Sequence, residues 1–132
     1  MNFTILSRWS PQLLSVLRIV TALLFFAHGS AKLFGFPYVE KLSGVPIGSI
    51  YGIAGIIEIV AGILLIIGLF SRLAAFLVAG EMAVAYFHSH APQNFQPLLN
   101  GGELAIAFCF IFLYIAAAGP GPWSIDAHRG RA

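Results

Sequence analysis

The chain contains four long apolar stretches, separated by short segments that are rich in glycine, proline and polar residues. The apolar residues run on without the strict alternation of a membrane β-strand, so the pattern predicts helices and argues against a barrel. We place the helices at about residues 15–34, 49–69, 72–87 and 101–118. Because roughly 20 apolar residues cross a membrane, we predict one domain over residues 1–132, an all-α, integral-membrane four-helix bundle in antiparallel up-down-up-down order.

The segments between the stretches have the composition of turns. Only Phe70-Ser71 separates the second and third stretches, which predicts a tight antiparallel hairpin. Residues 89–97 contain prolines and amides that cannot continue a helix in lipid. Residues 119–122 read Gly-Pro-Gly-Pro and end the last helix.

Composition supports a membrane protein. Of 132 residues, 59% are hydrophobic and 9% are charged, and the mean hydropathy is +0.91. Soluble domains carry about 25% charged residues, so this chain lacks the charge to coat a water-facing globule. A single cysteine, Cys109, excludes a disulfide scaffold. The net charge of +2 is too small to indicate a nucleic-acid partner, so we expect none.

Basic residues predict the orientation of the spans. If the spans alternate in direction, five arginines fall on one side, which predicts that both termini are cytoplasmic. The opposite side has Lys32 and Lys41, and no lysine or arginine in the third connection. The five arginines are Arg8, Arg18, Arg72, Arg129 and Arg131.

The first stretch has a competing interpretation. Arg8 and Arg18, followed by an apolar run and small residues, loosely resemble a cleaved signal peptide. His28 and Lys32 flank the region where cleavage would occur and weaken that interpretation. We therefore keep the first stretch as a span.

Ionisable residues inside the stretches are the candidates for function. The last three stretches carry Glu58, Glu81 and Glu103, and the first carries His28 and Lys32 on one helical face. A charge near the bilayer centre costs at least ~2.5–3.5 kcal/mol, so such side chains normally face the protein interior. Counting along the helices places these groups in the outer half of the bundle and leaves the cytoplasmic half apolar.

Small residues share faces with the two central acids. Gly55 and Gly62 lie on the face of Glu58, and Ala74 and Ala85 lie on the face of Glu81. Small residues mark close helix contacts in membranes. We therefore expect one interior pocket, open to the outside, lined by His28, Lys32, Glu58 and Glu81. We expect the following residues to face lipid: Phe25, Leu64, Leu65, Ile67, Phe76 and Phe110.

Structural roles are alternatives for several of these groups. Asn100 could cap the last helix, with Glu103 reaching back in its first turn. Glu58 and Glu81 could take part in buried ion pairing that only fixes helix register. Lys32 could extend to the outer headgroups instead of pairing inward.

The remaining reactive residues favour no chemistry of their own. His88 and His90 have the character of solvated loop residues, and the spacing predicts no metal site. Cys109, alone in an apolar helix, is expected to be a packing residue. The chain has no CxxC, CxxCH, GxGxxG or Walker motif, so we predict no catalytic residue, and whether the chain belongs to an enzyme stays open.

Several blocks together resemble the DoxX family of small bacterial membrane proteins. The resemblance covers residues 15–126, nearly the whole chain. It implies four helices in the bacterial inner (plasma) membrane, in a multi-pass arrangement. The matching blocks are Arg18 with His28–Leu33, Gly55–Glu58, Gly62–Gly68 with Arg72, Met82 with Ala85, Asn100–Glu103 and Gly119–Asp126.

The resemblance also bears on function, because the family includes a subunit associated with a quinone-reducing oxidoreductase. Our first hypothesis is a quinone- or small-ligand-binding subunit of a redox system, with His28, Lys32, Glu58, Glu81 and Glu103 as ligand-binding residues. The cofactor is otherwise unknown. The alternatives are a non-catalytic assembly or scaffold protein and a small oligomeric transporter. The expected partners are the lipid bilayer, a redox partner subunit and further copies of the chain.

Overall fold

The computed structural model describes residues 3–42 and 44–131, and no strand occurs among them. The four longest helices overlap the four predicted ranges, although the first begins earlier, beside Pro11, a residue suited to the first turn of a helix. The helices are α1 (Thr4–Arg8), α2 (Ser10–Phe34), α3 (Ile50–Ile67), α4 (Ser71–Ala85), a π-helix (Tyr86–His90) that continues α4, α5 (Pro97–Asn100), α6 (Glu103–Ala118) and α7 (Ile125–His128).

Left-handed residues end two of the long helices. Gly35 closes α2 at φ 67°, and Gly68 closes α3 at φ 73°, a backbone region that glycine enters without a steric penalty. Phe70 also has a positive φ, 52°, in the short connection to α4. The tight hairpin predicted at this point is therefore present, with three residues between the helices.

The long helices pack in pairs, α2 along α3 and α4 along α6. Contacts of α3 with α4 and of α2 with α6 join the pairs, so the four helices share one core. Phe25 lies at its centre, with its ring edge-on to Phe108 and Phe112 at centroid distances of 5.8 and 5.2 Å. The other core residues are mostly small: Ala22, Ala61, Ala74, Ala75, Val78, Ala79, Met82, Leu65 and Ile115.

Two residues expected to face lipid lie in this core instead. Phe25 is 1% exposed and Leu65 is fully buried, whereas Ile67, Phe76 and Phe110 are exposed as expected. Hydropathy cannot separate the faces of a helix that is apolar all round. Which face of such a helix is buried depends on where a neighbouring helix packs, and the position of a residue in the sequence does not determine this.

Large apolar side chains cover the outside of the molecule, the reverse of the distribution in a water-soluble protein. Two helices, α2 and α3, are long and apolar enough to cross a membrane, and α6 is a shorter apolar helix. The surface therefore suits a lipid environment. Examples of exposed apolar residues are Leu23, Leu24, Ile53, Val60, Phe76, Leu77, Phe110 and Tyr114.

Candidate functional site

Glycines bring α2 and α3 into close contact. A Cβ added at Gly29 would lie 2.8 Å from Glu58 Cβ and 2.9 Å from the Gly55 carbonyl oxygen. A Cβ added at Gly55 would lie 3.2 Å from Lys32 Cβ. Larger residues would hold the helices apart, so this pair of glycines places Lys32 of α2 beside Glu58 of α3.

Lys32 and Glu58 form a buried ion pair. The Lys32 ammonium donates to Glu58 Oε1 at 2.7 Å, and the two side chains are 10% and 2% exposed. In the structure Lys32 thus turns inward instead of extending to the headgroups. Burying an ion pair costs several kcal/mol of desolvation per ion, and the attraction between the two charges offsets this cost. Removing one partner therefore leaves the other charge buried and unpaired.

Glu81 of α4 adds a second carboxyl group to this pair. Its carboxyl interacts electrostatically with Glu58 and with Lys32. Both oxygens of Glu81, and Oε2 of Glu58, are buried without a hydrogen-bond partner among the described residues. Lys32, Glu58 and Glu81, which we call the α2–α4 cluster, therefore combine one cation with two carboxyls and three acceptor oxygens that lack donors.

His28 lies at the edge of the α2–α4 cluster. Its ring packs against Phe108 at 5.8 Å, and it interacts electrostatically with Glu58. Its Nδ1 lies 3.0 Å from the Leu24 carbonyl oxygen. Since a carbonyl only accepts, Nδ1 carries a hydrogen and Nε2 is the nitrogen open to another partner.

Glu103, the remaining predicted ligand-binding residue, lies outside the α2–α4 cluster. It is the exposed first residue of α6, beside an open groove of about 490 Å³ that Pro97 and Leu104 also line. It is absent from the groups that interact with Glu58 and Glu81. The cause is its position as the exposed first residue of α6.

Asn100 does not act as the predicted side-chain cap of α6. The N-cap of α6 is Gly102, and no side chain caps that helix. Asn100 is instead buried and organises the connection before α6: its amide donates to Tyr86 and to the Asn94 carbonyl, and its Oδ1 accepts from Gly102 N at 2.8 Å.

The two histidines at this end of the molecule differ. His90 is half-buried, with Nδ1 3.0 Å from the Asn100 carbonyl oxygen, so its prediction as a solvated residue is wrong. His88 is exposed. In the described part of the chain, no three His, Cys, Asp or Glu side chains gather as a metal site would require.

A buried arginine at the opposite end corrects the expectation of an apolar cytoplasmic half. Arg18 is fully buried. Its Nε donates to the Leu65 carbonyl at 2.8 Å, Nη2 donates to the Trp123 carbonyl at 2.7 Å, and Nη1 donates to the Pro120 carbonyl. A guanidinium has donors enough for three carbonyls. The Gly-Pro-Gly-Pro run at residues 119–122 is the sequence signal for this site, because backbone carbonyls outside a helix lack a helical hydrogen-bond partner and are free to bind Arg18.

Asp126 caps the start of α4 from the C-terminal segment. Its carboxylate accepts from Phe70 N at 2.9 Å and from Ser71 N at 2.8 Å. Burial raises the pKa of Asp126. These hydrogen bonds and the Arg129 charge together lower it by more than burial raises it, so the pKa lies below its usual value. Sequence reasoning missed this role because the capping residue lies 55 positions from Ser71.

Arg72 similarly binds free backbone carbonyls at the end of α6. Its Nη1 donates to the carbonyls of Ala117, at 2.5 Å, and Ala116, at 3.2 Å. These carbonyls have no partner within the helix, because the last turn of any helix leaves them free. We call Arg18, Arg72 and Asp126, with the carbonyls and N–H groups that they bind, the terminal clamp.

Comparison with known proteins identifies the family. The DoxX family model matches residues 13–91. An uncharacterized protein of Haemophilus influenzae (strain Rd) is 43% identical over 125 residues, which cover 92% of this chain and 93% of that protein. No solved structure matches significantly. The family model thus matches more than half of the chain and confirms the resemblance. The chain belongs to the DoxX family of membrane proteins.

Proposed function

We propose that this DoxX family membrane protein crosses the bacterial inner membrane four times as an antiparallel bundle. Two helices have the length and apolar character of spans. The α4 helix and the π-helix together run from residue 71 to 90, about 30 Å at the rise of an α-helix. The apolar side chains on the outer surface favour contact with lipid on all sides of the bundle.

The orientation that we propose has both termini in the cytoplasm. Arg18 and Arg72 both belong to the terminal clamp, at one end of the molecule, and Arg129 lies at that end over the Phe70 ring at 5.8 Å. Basic residues concentrate on the cytoplasmic side of membrane proteins.

Cysteine labelling tests this topology. In a Cys109→Ser background, an impermeant maleimide added to intact spheroplasts should label Asn94→Cys and should label Arg129→Cys only after lysis. Equal labelling of both positions before lysis would contradict four spans with cytoplasmic termini.

The α2–α4 cluster is, in our proposal, a site for a small ligand, and a quinone headgroup is the ligand class that fits best. The observation that carries the proposal is the set of three buried carboxyl oxygens without donors beside a lysine that retains donor capacity. Buried polar groups normally have partners, so their lack of partners favours a missing hydrogen-bonding molecule. Ligand sites combine an apolar surround with a few such polar groups.

The residues of the cluster fit both oxidation states of such a headgroup. Lys32 is positioned to donate to a carbonyl oxygen, and His28 Nε2, Glu58 and Glu81 are positioned to accept from hydroxyls. The carboxyls would take or deliver the protons. A bound quinone would supply the electron-carrying chemistry that this chain lacks, and a redox partner subunit would supply the electrons.

The aromatic residues of α2 and the segment after it limit where an apolar ligand tail can lie. The ring of Phe25 is packed against Phe108 and Phe112 in the core and cannot line a slot for the tail. Phe34 and Phe36 are exposed near the end of α2. A ligand tail would therefore run along the outer surface of α2 and into lipid.

Calorimetric titration of the purified protein with ubiquinone and menaquinone analogues tests the ligand. We expect saturable binding that Glu58→Gln weakens and that Glu103→Gln, a matched change at an exposed glutamate, leaves unchanged. No saturable binding to the unaltered protein would remove the proposal.

A second candidate function is a non-catalytic assembly or scaffold protein. The observation that favours it is the terminal clamp, in which three charged side chains hydrogen-bond backbone groups of neighbouring segments. On this interpretation the Lys32–Glu58 pair also fixes helix packing. Binding of partner subunits with no small-ligand binding would distinguish it from the first candidate.

A further inference from the structure

We propose that Glu58 and Glu81 hold one exchangeable proton between them, so that the α2–α4 cluster is a proton-binding site with a neutral resting charge. This inference goes beyond the proposed ligand site and does not depend on it, since it concerns the cluster alone. It rests on the charges and contacts of three side chains on three helices.

Charge balance is the first step. Lys32 pairs with Glu58 at 2.7 Å, and this single cation compensates one carboxylate. A second carboxylate at the same place would leave an uncompensated charge inside the protein, where an isolated ion is so costly that such a group takes up a proton. One proton on the pair removes that charge.

Hydrogen bonding is the second step. Glu58 Oε2 and both Glu81 oxygens are buried without partners. Two ionised carboxylates only accept and cannot bind each other, whereas a protonated carboxyl donates to a carboxylate. A proton shared by Glu81 and Glu58 therefore supplies a donor that two ionised carboxylates would lack.

Among the described residues, no lysine or arginine other than Lys32 interacts with Glu81 or Glu58. From α2, Lys32 and His28 face the pair, and from α3 only Glu58 does. The helix α6 and the π-helix also pack against α4, but none of their titratable side chains interacts with Glu81 or Glu58. Those side chains are Glu103, Cys109, Tyr114, Tyr86, His88 and His90.

Exchange would take place at the end of the molecule opposite the terminal clamp. Lys32 lies two residues before the end of α2 and keeps 10% of its side chain exposed, against 2% for Glu58. A proton can therefore reach the pair past Lys32 without crossing the Phe25 core.

Infrared spectroscopy of the purified protein tests the proton directly. In a detergent without ester groups at neutral pH, the unaltered protein should show the carbonyl-stretch band of one protonated carboxyl, and this band should shift in D₂O. Asp126, whose pKa is lowered, is ionised at that pH and does not contribute to the band.

Variants distinguish a shared proton from an ordinary buried acid. Either Glu58→Gln or Glu81→Gln should abolish the band, because Lys32 then balances the single carboxylate that remains. Glu103→Gln should keep it, and Lys32→Met should increase it. A band that survives in Glu58→Gln, or that Lys32→Met leaves unchanged, would overturn the proposal.

A variant of His28 provides a further test of the proposal. If a charged His28 supplied the second cation, the unaltered protein would show no band and His28→Gln would create one, which would also overturn the proposal. A protein that shows the expected bands and binds no quinone would refute the ligand site and leave the proton site standing.

Discussion

At the scale of single residues, buried charged side chains fall into two groups with different partners. Lys32 meets another ionisable side chain, Glu58, whereas Arg18 and Asp126 are bound by backbone groups. Hydrogen bonds between backbone groups and an ionised side chain are charge-assisted, so they compensate part of the charge of Arg18 and Asp126. The two kinds of site should respond differently to substitution.

Lys32→Met should destabilise the protein by up to about 3–5 kcal/mol, since it leaves Glu58 buried without its cation. Glu58→Gln should cost less, because Glu81 remains to balance Lys32. The double variant Lys32→Met, Glu58→Gln should recover much of the loss. Thermal unfolding in detergent measures all three; single variants as stable as the unaltered protein would show that the pair contributes little.

Asp126 should make stability depend on pH. Because its pKa is lowered in the folded state, its carboxylate contributes stability that is complete above the unfolded value of about 3.9 and is lost as the pH falls through the lower folded value. Asp126→Asn should cost about 1 kcal/mol near neutral pH and flatten this acid dependence. Unfolding midpoints measured at decreasing pH check both effects, and an unchanged acid limb would contradict the capping role.

At the scale of helices, pairing depends on where small residues allow close approach. Gly29 and Gly55 lie at the contact of α2 with α3, whereas Gly80 lies on α4 where an added Cβ would meet nothing within 4 Å. The same residue type is therefore required at one position and dispensable at the other.

Gly29→Ala should destabilise the protein by about 1–3 kcal/mol, because the new Cβ would overlap Glu58 and the Gly55 carbonyl. Gly80→Ala is the matched control and should be neutral or stabilise by up to about 1 kcal/mol through helix propensity. Differential scanning measurements in one detergent compare them. Equal melting temperatures for the two variants would argue against a tight α2–α3 contact.

At the scale of the whole molecule, the two ends differ in how the helix pairs are joined. The terminal clamp ties α2, α3, α4 and α6 to the segment after α6 through Arg18, Arg72 and Asp126. At the other end, side-chain hydrogen bonds such as that of Tyr51 with Ser89, at 2.9 Å, connect the helices near the surface. We infer that the clamp end is the more rigid one.

Removal of the segment after Ala118 should therefore prevent stable folding, because Arg18 would lose two of its three carbonyl partners and α4 would lose its cap. Removal of only the residues after Arg129 should be tolerated, since it spares these contacts. Size-exclusion chromatography in detergent distinguishes a monodisperse protein from an aggregate. A monodisperse product of the longer deletion would refute the structural role of the clamp.

Much of the candidate site could be predicted from the sequence. Intramembrane charges are so costly that Glu58 and Glu81 were expected to turn inward, and helical spacing put them with Lys32 in the outer half of the bundle. The sequence left open whether Lys32 pairs inward or extends to the headgroups. The sequence could not place Glu103 inside or outside the bundle. At the end of a helix, a shift of one turn moves a side chain from the interior to the surface. The clamp could not be predicted, because its partners are backbone groups, which every residue carries.

The sequence by itself determined the class of protein, the approximate helices and the small set of charged residues that needed partners. These follow from the free energy of burying apolar and charged groups, which depends on composition and local order. Tertiary structure decided that Phe25 and Leu65 face the core, that Arg18 binds three carbonyls and that Glu103 stays outside. In helices that are apolar on every face, only packing against neighbouring helices distinguishes inside from outside.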